Sequence, residues 1–241
     1  MLLGGLLLAF ALPCLAENDS AEDITYMTEE NRPLNFSVDG QPTGLAVELL
    51  RLIWQRMGVP PQPIHVVPWP RAYNTGQFER RTMVFSMFRT KSREHRFKWV
   101  GPITQSQIQV NAQRDRHVRA DSPDALRSLD LGAVRDEVST FLLKEAGIRY
   151  TEIPRPDSAV KMLTLGRIDA LALGEHQFRQ TVLALGMRMS DYETILVLGQ
   201  GPVYYAFSRD TPDDLIRRFQ KALDAVRLTP IYRNLLNFYL R

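Results

Sequence analysis

Apolar positions along this chain fall into two alternating rhythms. Ile24 to Met27 is a short apolar run that predicts a strand, and Asp39-Gly40 predicts a turn. From Gly44 to Met57, Leu45, Leu49, Leu52, Ile53 and Met57 keep helical spacing, with Glu48 near the positive end and Gly58 as a C-terminal stop. Ile64 to Val67 then predicts a strand, Arg71 to Phe78 a short helix and Thr82 to Phe88 another strand. The same order returns from about Ser122: strand Leu131 to Val134, helix Ser139 to Ala146, strand Tyr150 to Ile153, helix Ser158 to Leu165, strand Ala170 to Leu173. Strand and helix in alternation favour α/β sheets.

Two β-rich pieces, Ile103 to Ala112 and Ile195 to Ser208, flank the second unit. Beyond them Asp213 to Arg227 predicts an amphipathic helix with Leu215, Ile216, Phe219, Leu223 and Val226 on one face, and a shorter helix follows Pro230. A chain that leaves one lobe, builds a second and returns predicts two lobes joined by a pair of crossings, with a cleft that opens by small backbone rotations. The expected division is 23–112 and 199–241 for the first lobe and 113–198 for the second.

Composition narrows the class. With 241 residues, 44% hydrophobic and 24% charged, the chain is long enough for one large or two small cores and is not a disordered segment. A net charge of +3 is modest, and the basic cluster Arg114, Arg116, His117 and Arg119 has no interleaved aromatics, so nucleic acid is not an expected partner. Residues 1–16 carry no charge and are too short an apolar run to span a bilayer, which predicts a cleaved secretory signal and a periplasmic chain beginning at Glu17. Pro13 before Cys14 disfavours a lipid anchor. Without Cys14 the mature chain has no cysteine, so its stability in an oxidising compartment rests on its core.

The stretch Phe85 to Pro102, FSMFRTKSREHRFKWVGP, carries the sharpest chemistry. Phe85 to Phe88 reads as a strand end, Thr90 as the N-cap of a following helix and Arg93 as a residue of its first turn. First-turn N–H groups, the Thr90 hydroxyl and the Arg93 guanidinium could then converge on one carboxylate. Arginine outnumbers lysine 25 to 5, so a lone arginine is more often a solvated charge, and it is the context that singles out Arg93.

Several motifs together resemble the bacterial periplasmic solute-binding proteins of the polar amino-acid type, solute-binding family 3. Gly44-Leu45-Ala46-Val47-Glu48-Leu49 after Asp39-Gly40 is similar to the family's glycine-led first helix, and Thr90-Lys91-Ser92-Arg93-Glu94 to its Thr-x-x-Arg-Glu signature. Phe97, Trp99 to Pro102 and Gly166-Arg167-Ile168-Asp169-Ala170 fall in the same order. The resemblance covers the whole mature chain. It implies a type II periplasmic-binding-protein fold, each lobe a mixed sheet flanked by helices, that closes on a small carboxylate-bearing solute. It further implies delivery to an inner-membrane ABC permease, a monomer, and no cofactor or metal. By position, Arg93 would grip the carboxylate, with Thr90, Ser86 and Phe88 beside it.

Departures from the pattern bear on the solute. Asn31-Arg32-Pro33-Leu34 lacks the aromatic that stacks on ligands, Asp136-Glu137-Val138 replaces a glycine-threonine turn, and Gly174 stands where amino-acid binders hold an aspartate for the ammonium. Glu175, Glu137 or Asp136 could supply a displaced carboxylate, and each is equally explained as a helix-start or loop acid. Asn31, Val138, Trp69 and Arg71 complete the candidate set, Arg71 being as readily a surface residue. No Gly-x-Ser-x-Gly elbow, phosphate loop or His-x-x-x-His pair is present, and His65, His95, His117 and His176 lack metal spacing, so the chain is not expected to be an enzyme. Two alternatives share the cleft: a sensor docking on a membrane receptor, and an enzyme resembling cyclohexadienyl dehydratase with Glu175 or Glu137 as general acid.

Overall fold

The computed structural model describes residues 20–135 and 137–240. The expected signal segment, residues 1–16, and the candidate Asp136 lie outside the described residues. The first unit runs β1 (Thr25–Thr28), a hairpin of β2 (Phe36–Val38) and β3 (Gln41–Thr43), α1 (Leu45–Met57), β4 (Ile64–Val66), α2 (Trp69–Phe78) and β5 (Thr82–Phe88). β1 is the centre of a parallel trio, flanked by β4 and β5. After β6 (Phe97–Gln113) the plan repeats as β7 (Leu131–Val134), α3 (Val138–Glu145), β8 (Thr151–Ile153), α4 (Pro156–Thr164) and β9 (Ala170–Gly174). Here β7 is the centre, flanked in parallel by β8 and β9. α5 (Glu175–Ala184), β10 (Tyr192–Ser208), α6 (Asp213–Arg227) and α7 (Pro230–Leu240) complete the chain.

The two half-sheets are joined edge to edge. β6 and β10 are each 17 residues long and pair antiparallel from Tyr192↔Gln113 to Ser208↔Phe97, giving one sheet in the order β4-β1-β5-β10-β6-β9-β7-β8. The Val203–Phe207 stretch of β10 completes the first trio, and the Ile108–Ala112 stretch of β6 completes the second. Register shifts between Thr194 and Leu196, Val197 and Gly199, and Val203 and Tyr205 break the ladder along the shared strands. Such irregularities bend a strand pair locally.

Cores form on both faces of each half. In the first lobe Leu45, Leu49, Leu50, Ile53 and Trp54 of α1 pack with Phe219 and Leu223 of α6 and Phe85, Tyr205 and Phe207 of the sheet. Helical spacing makes this possible, since every one of those α1 residues falls on one face. The Tyr205 hydroxyl donates to the Ala46 carbonyl at 2.8 Å, so the buried phenol is satisfied. The opposite face holds Met27, Ala72, Val84, Met87 and Phe97 beneath α2. In the second lobe Ile153, Val160, Leu163, Phe178 and Val182 form one core and Leu126, Leu131, Ala133 and Leu143 another. Among the described residues, no helix is long and apolar enough to cross a membrane.

One expected element is absent. Residues 91–96 form successive turns rather than a helix capped by Thr90. The Thr90 hydroxyl is shared with Ser92 at 3.0 Å, Glu94 accepts from Arg89 Nε at 2.6 Å, and the chain enters β6 at Phe97 before a helix can propagate. The β2–β3 hairpin around Asp39-Gly40 and the helix α5 go beyond the elements that the apolar pattern predicts.

Candidate functional site

In an α/β sheet the residues just past the C-terminal ends of parallel strands are free to face a ligand. Here the two trios turn those ends toward one another. Glu29, Asn31 and Leu34 follow β1, Met87 and Phe88 end β5, and Trp69 opens α2. From the second lobe come Glu137 and Val138 after β7, Gly174 at the end of β9, and His176 and Gln177 in the first turn of α5. Ser106 and Ile108 of β6 and Val203 of β10 form the floor of this cavity of about 40 Å³.

Arg93 enters from the turn after β5. Its guanidinium lies 5.4 Å from the Trp69 ring centre and 5.2 Å from that of Tyr73, and Nη1 donates to the Phe88 carbonyl at 3.4 Å. Burial pulls its pKa downward, opposed by Tyr73 and by the Glu29 carboxylate. From so high a starting value the group stays cationic. Two aromatic faces thus hold a largely desolvated charge at the cavity wall, where a carboxylate would meet it as a two-pronged partner.

Ser86 stands beside it in an unusual conformation. It has φ of 65°, and the β5–β10 register skips it, pairing Tyr204 with Met87 and Tyr205 with Phe85. A bulged residue in the left-handed region re-aims its side chain, and such strain gathers at ligand sites. The Ser86 hydroxyl is buried and has no hydrogen-bond partner among the described residues. A bound oxygen would supply one.

Across the cavity Glu137 occupies the N-cap position of α3 without capping it by its side chain. Its Oε1 instead accepts from Gln177 Nε2 at 2.9 Å. Burial holds His176 below its ordinary pKa, with Glu175 pulling it back up and Arg179 pushing it further down. Glu137 and Gln177 from lobe two, and Glu29 and Arg93 from lobe one, line the same cavity.

A depressed histidine pKa means that the unfolded chain binds the proton first, so stability is full above about pH 6.5 and declines as pH falls through that value. His176→Asn is expected to flatten the fall in melting temperature between about pH 7.5 and 5.5, a window chosen above the carboxylate range. Equal slopes for the two proteins would refute this.

The structure brings together at the cavity Arg93, Ser86, Phe88, Trp69, Asn31, Glu137 and Val138 of the expected set. It does not bring Thr90, Arg71 or Glu175 there. Thr90 bonds Ser92 in the turn. Arg71 is exposed because α2 buries its neighbour Ala72 and then Gly76, which sets Arg71 on the outer side. Glu175 begins α5 half-buried beside the cavity, while the next two residues reach it. Sequence reasoning missed Glu29, Leu34, Met87, Ser106, Ile108, Gln177 and Val203 as lining residues, and passed over His176. Trp69 and Phe88 are the aromatic residues that line the cavity. Among the described residues, no group of three or more His, Cys, Asp or Glu side chains could hold a metal ion.

Two α/β lobes, linked by two crossing strands and facing each other across a cavity lined from both, define a two-lobed binding protein of the periplasmic type. A sequence profile of the bacterial extracellular solute-binding proteins, family 3, matches residues 24–241, and the chain belongs to that family. No curated protein matches the sequence. Among solved structures, the chain is similar to a histidine kinase sensor domain with similarity to periplasmic binding proteins (20% identity, 92% of this chain and 98% of that one, TM-score 0.76). It is similar to a mutant of ArgBP from T. maritima (17% identity, 91% and 96%, TM-score 0.76). It is also similar to the ancestral amino acid-binding protein AncCDT-1, a precursor of cyclohexadienyl dehydratase (16% identity, 90% and 95%, TM-score 0.73). At these identities the likeness is one of fold.

Proposed function

We propose that this protein captures a small carboxylate-bearing solute, an amino acid or amino-acid derivative, by closing its two lobes, and delivers it outside the inner membrane to an ABC permease. The observation that carries this reading is Arg93, a desolvated guanidinium at the wall of a cavity lined by both lobes, with the orphaned Ser86 hydroxyl near it. The carboxylate would bind lobe one first. Glu137, His176 and Gln177 add contacts only when lobe two approaches, so the solute stabilises the closed form by that difference. Capture needs no bond made or broken, in keeping with a family of solute-binding proteins. A receptor reading the same closure is the second reading, favoured by the fold shared with a kinase sensor domain.

The test is a thermal-shift screen of the purified protein against amino acids and their derivatives, amine-free carboxylic acids, and amines without a carboxylate. A solute at 100 times its Kd adds about 2.7 kcal/mol, which raises Tm by roughly 5–10 °C in a protein of this size. Amino acids or their derivatives are expected to give the shift, and mass spectrometry is expected to recover the solute unchanged. A shift by carboxylate-free amines alone, or a converted solute, would overturn the reading.

A further inference from the structure

The final helix, α7, is held to the first lobe by one side only. The Tyr232 hydroxyl donates to the Ile103 carbonyl at 2.8 Å, the Tyr239 hydroxyl shares a 3.2 Å bond with that of Thr43, and Leu235, Leu236 and Tyr239 rest against the core beneath α1. The outward side takes no part in this packing. Leu228 at the C-cap of α6 is 86% exposed, and Ile231 and Phe238 of α7 are 54% and 79% exposed. Exposed apolar side chains scattered singly need no account. These three belong to the eight large ones exposed among the described residues, and they fall within a run of eleven. Ile231 and Phe238 stand seven residues apart, about two helical turns, so both project from the same side of α7.

Charge distinguishes this end of the chain as well. From Ala225 to the last residue the sequence holds Arg227, Arg233 and Arg241 and no acid, a charge of +3 that equals the net charge of the whole chain. Arg233 is exposed, and the Arg227 guanidinium lies 6.0 Å from the centre of the Tyr232 ring. Asp224, the last acid before this stretch, accepts from Gln220 Nε2 at 2.9 Å. Apolar side chains beside unopposed arginines complement an anionic lipid surface, where phosphates meet the guanidinium groups and the acyl boundary takes the hydrocarbon.

Protein occupants fit less well. A second copy seated on this side by a twofold axis would set the arginines of one α7 against those of the other. Exposed Asn234 and Asn237 interrupt the apolar positions, so there is no continuous apolar patch of the kind that the core of a protein interface covers. A fluid bilayer accepts each protruding side chain by itself.

We infer that the outward side of α7, with the C-cap of α6, is a docking surface for an anionic bilayer, which receives Leu228, Ile231 and Phe238 while the neighbouring arginines pair with lipid phosphates. No cavity residue takes part, so this inference stands apart from the solute-capture reading.

The test is co-sedimentation of the chain from Glu17 to Arg241 with phospholipid vesicles, the apolar residues 1–16 being left out because they would bind a bilayer by themselves. Binding is expected to vesicles of phosphatidylcholine with about 30% phosphatidylglycerol and to be at least about tenfold weaker to phosphatidylcholine alone. Raising the salt from about 0.05 to 0.5 M should weaken it about fivefold or more. The double variant Ile231→Ser, Phe238→Ser is expected to bind about tenfold more weakly at an unchanged Tm, and Arg233→Glu about fivefold more weakly. Should the double variant melt lower, Arg233→Glu and the salt dependence decide. Phe78→Ser, which alters a 76% exposed aromatic at the end of α2, is the comparison and should bind as the wild type does. Sedimentation with neither vesicle, equal binding to both, or an equal loss in Phe78→Ser would overturn the inference. A dimer that forms without lipid and is lost in the double variant would overturn it too, giving the surface to a second copy.

Discussion

Arg93→Ala is expected to weaken solute binding at least about a hundredfold, because it leaves a carboxylate inside the cleft without its charged partner, a loss on the order of 3 kcal/mol or more. The fold should hold. Arg93 packs on the Trp69 and Tyr73 faces but belongs to none of the four apolar cores, so a thermal melt without solute is expected to move by no more than about 1 kcal/mol equivalent. Arg93→Lys keeps the charge and loses the planar fork, and should recover only part of the affinity. Calorimetry on the three proteins decides the matter, and wild-type affinity in the alanine variant would remove Arg93 from the mechanism.

Gly44→Ala should produce the largest stability loss among simple substitutions near the site. Gly44 precedes α1 with φ 118° and ψ 168°, a conformation essentially confined to glycine. An added Cβ would sit 2.5 Å from the Leu34 oxygen, 2.7 Å from its carbonyl carbon and 2.9 Å from the Asn35 nitrogen, all backbone atoms that cannot swing aside. Those atoms belong to the turn that caps α1, where Leu45 N–H donates to the Pro33 carbonyl and Ala46 N–H to that of Leu34. Strain and lost capping together are expected to cost about 2–4 kcal/mol and lower Tm by roughly 5–15 °C. Because Asn31 and Leu34 of the same turn line the cavity, solute affinity should fall as well. Gly58→Ala is the comparison, with φ of 71° and open space around the added carbon, where about 1 kcal/mol is expected. A Gly44→Ala melt no lower than that of Gly58→Ala would show that the turn yields freely.

These two positions also show what the chain declares locally and what it does not. Gly44, Gly58 and the apolar stripe between them define α1 because helix ends and helix periods are local signals, and Thr82–Phe88 and Asp213–Arg227 are legible for the same reason. α5 is not, since only Phe178 and Val182 of its apolar residues enter the core and Leu183 is exposed, leaving too weak a period to read. The expected helix after Thr90 fails through a competition that sequence does not rank: Ser92 and Arg89 claim the side chains that would have capped and closed its first turn. At the cavity, Arg93, Ser86 and Phe88 stand next to a recognisable strand end. Ser106, Ile108 and Val203 have no such marker, because it is the pairing of the two long strands, shifted between Val203 and Tyr205, that sets them at the floor. His176 and Gln177 lie two and three residues beyond Gly174, a position marked by its departure from the family pattern, but the start of α5 between them carries too weak a signal to read.

The shared strands also bear on the order in which the molecule can be completed as it is made. The β6, β7, β8 and β9 strands of the second half-sheet and α5 are available once the chain has grown past Ala184, lacking the Tyr192–Gly201 stretch of β10 that pairs with β6 and brings Tyr192 to the core. The core beneath α1 needs Val203, Tyr205, Phe207, Phe219 and Leu223 from the far end of the chain. Until those residues emerge, β5 presents an unpaired edge and α1 an uncovered apolar face, the two features that invite aggregation in partly folded chains. The half that carries Arg93 is therefore the last to close, and a product cut short after α5 would display an unpaired edge on β5 and the bare face of α1 while retaining most of its second lobe.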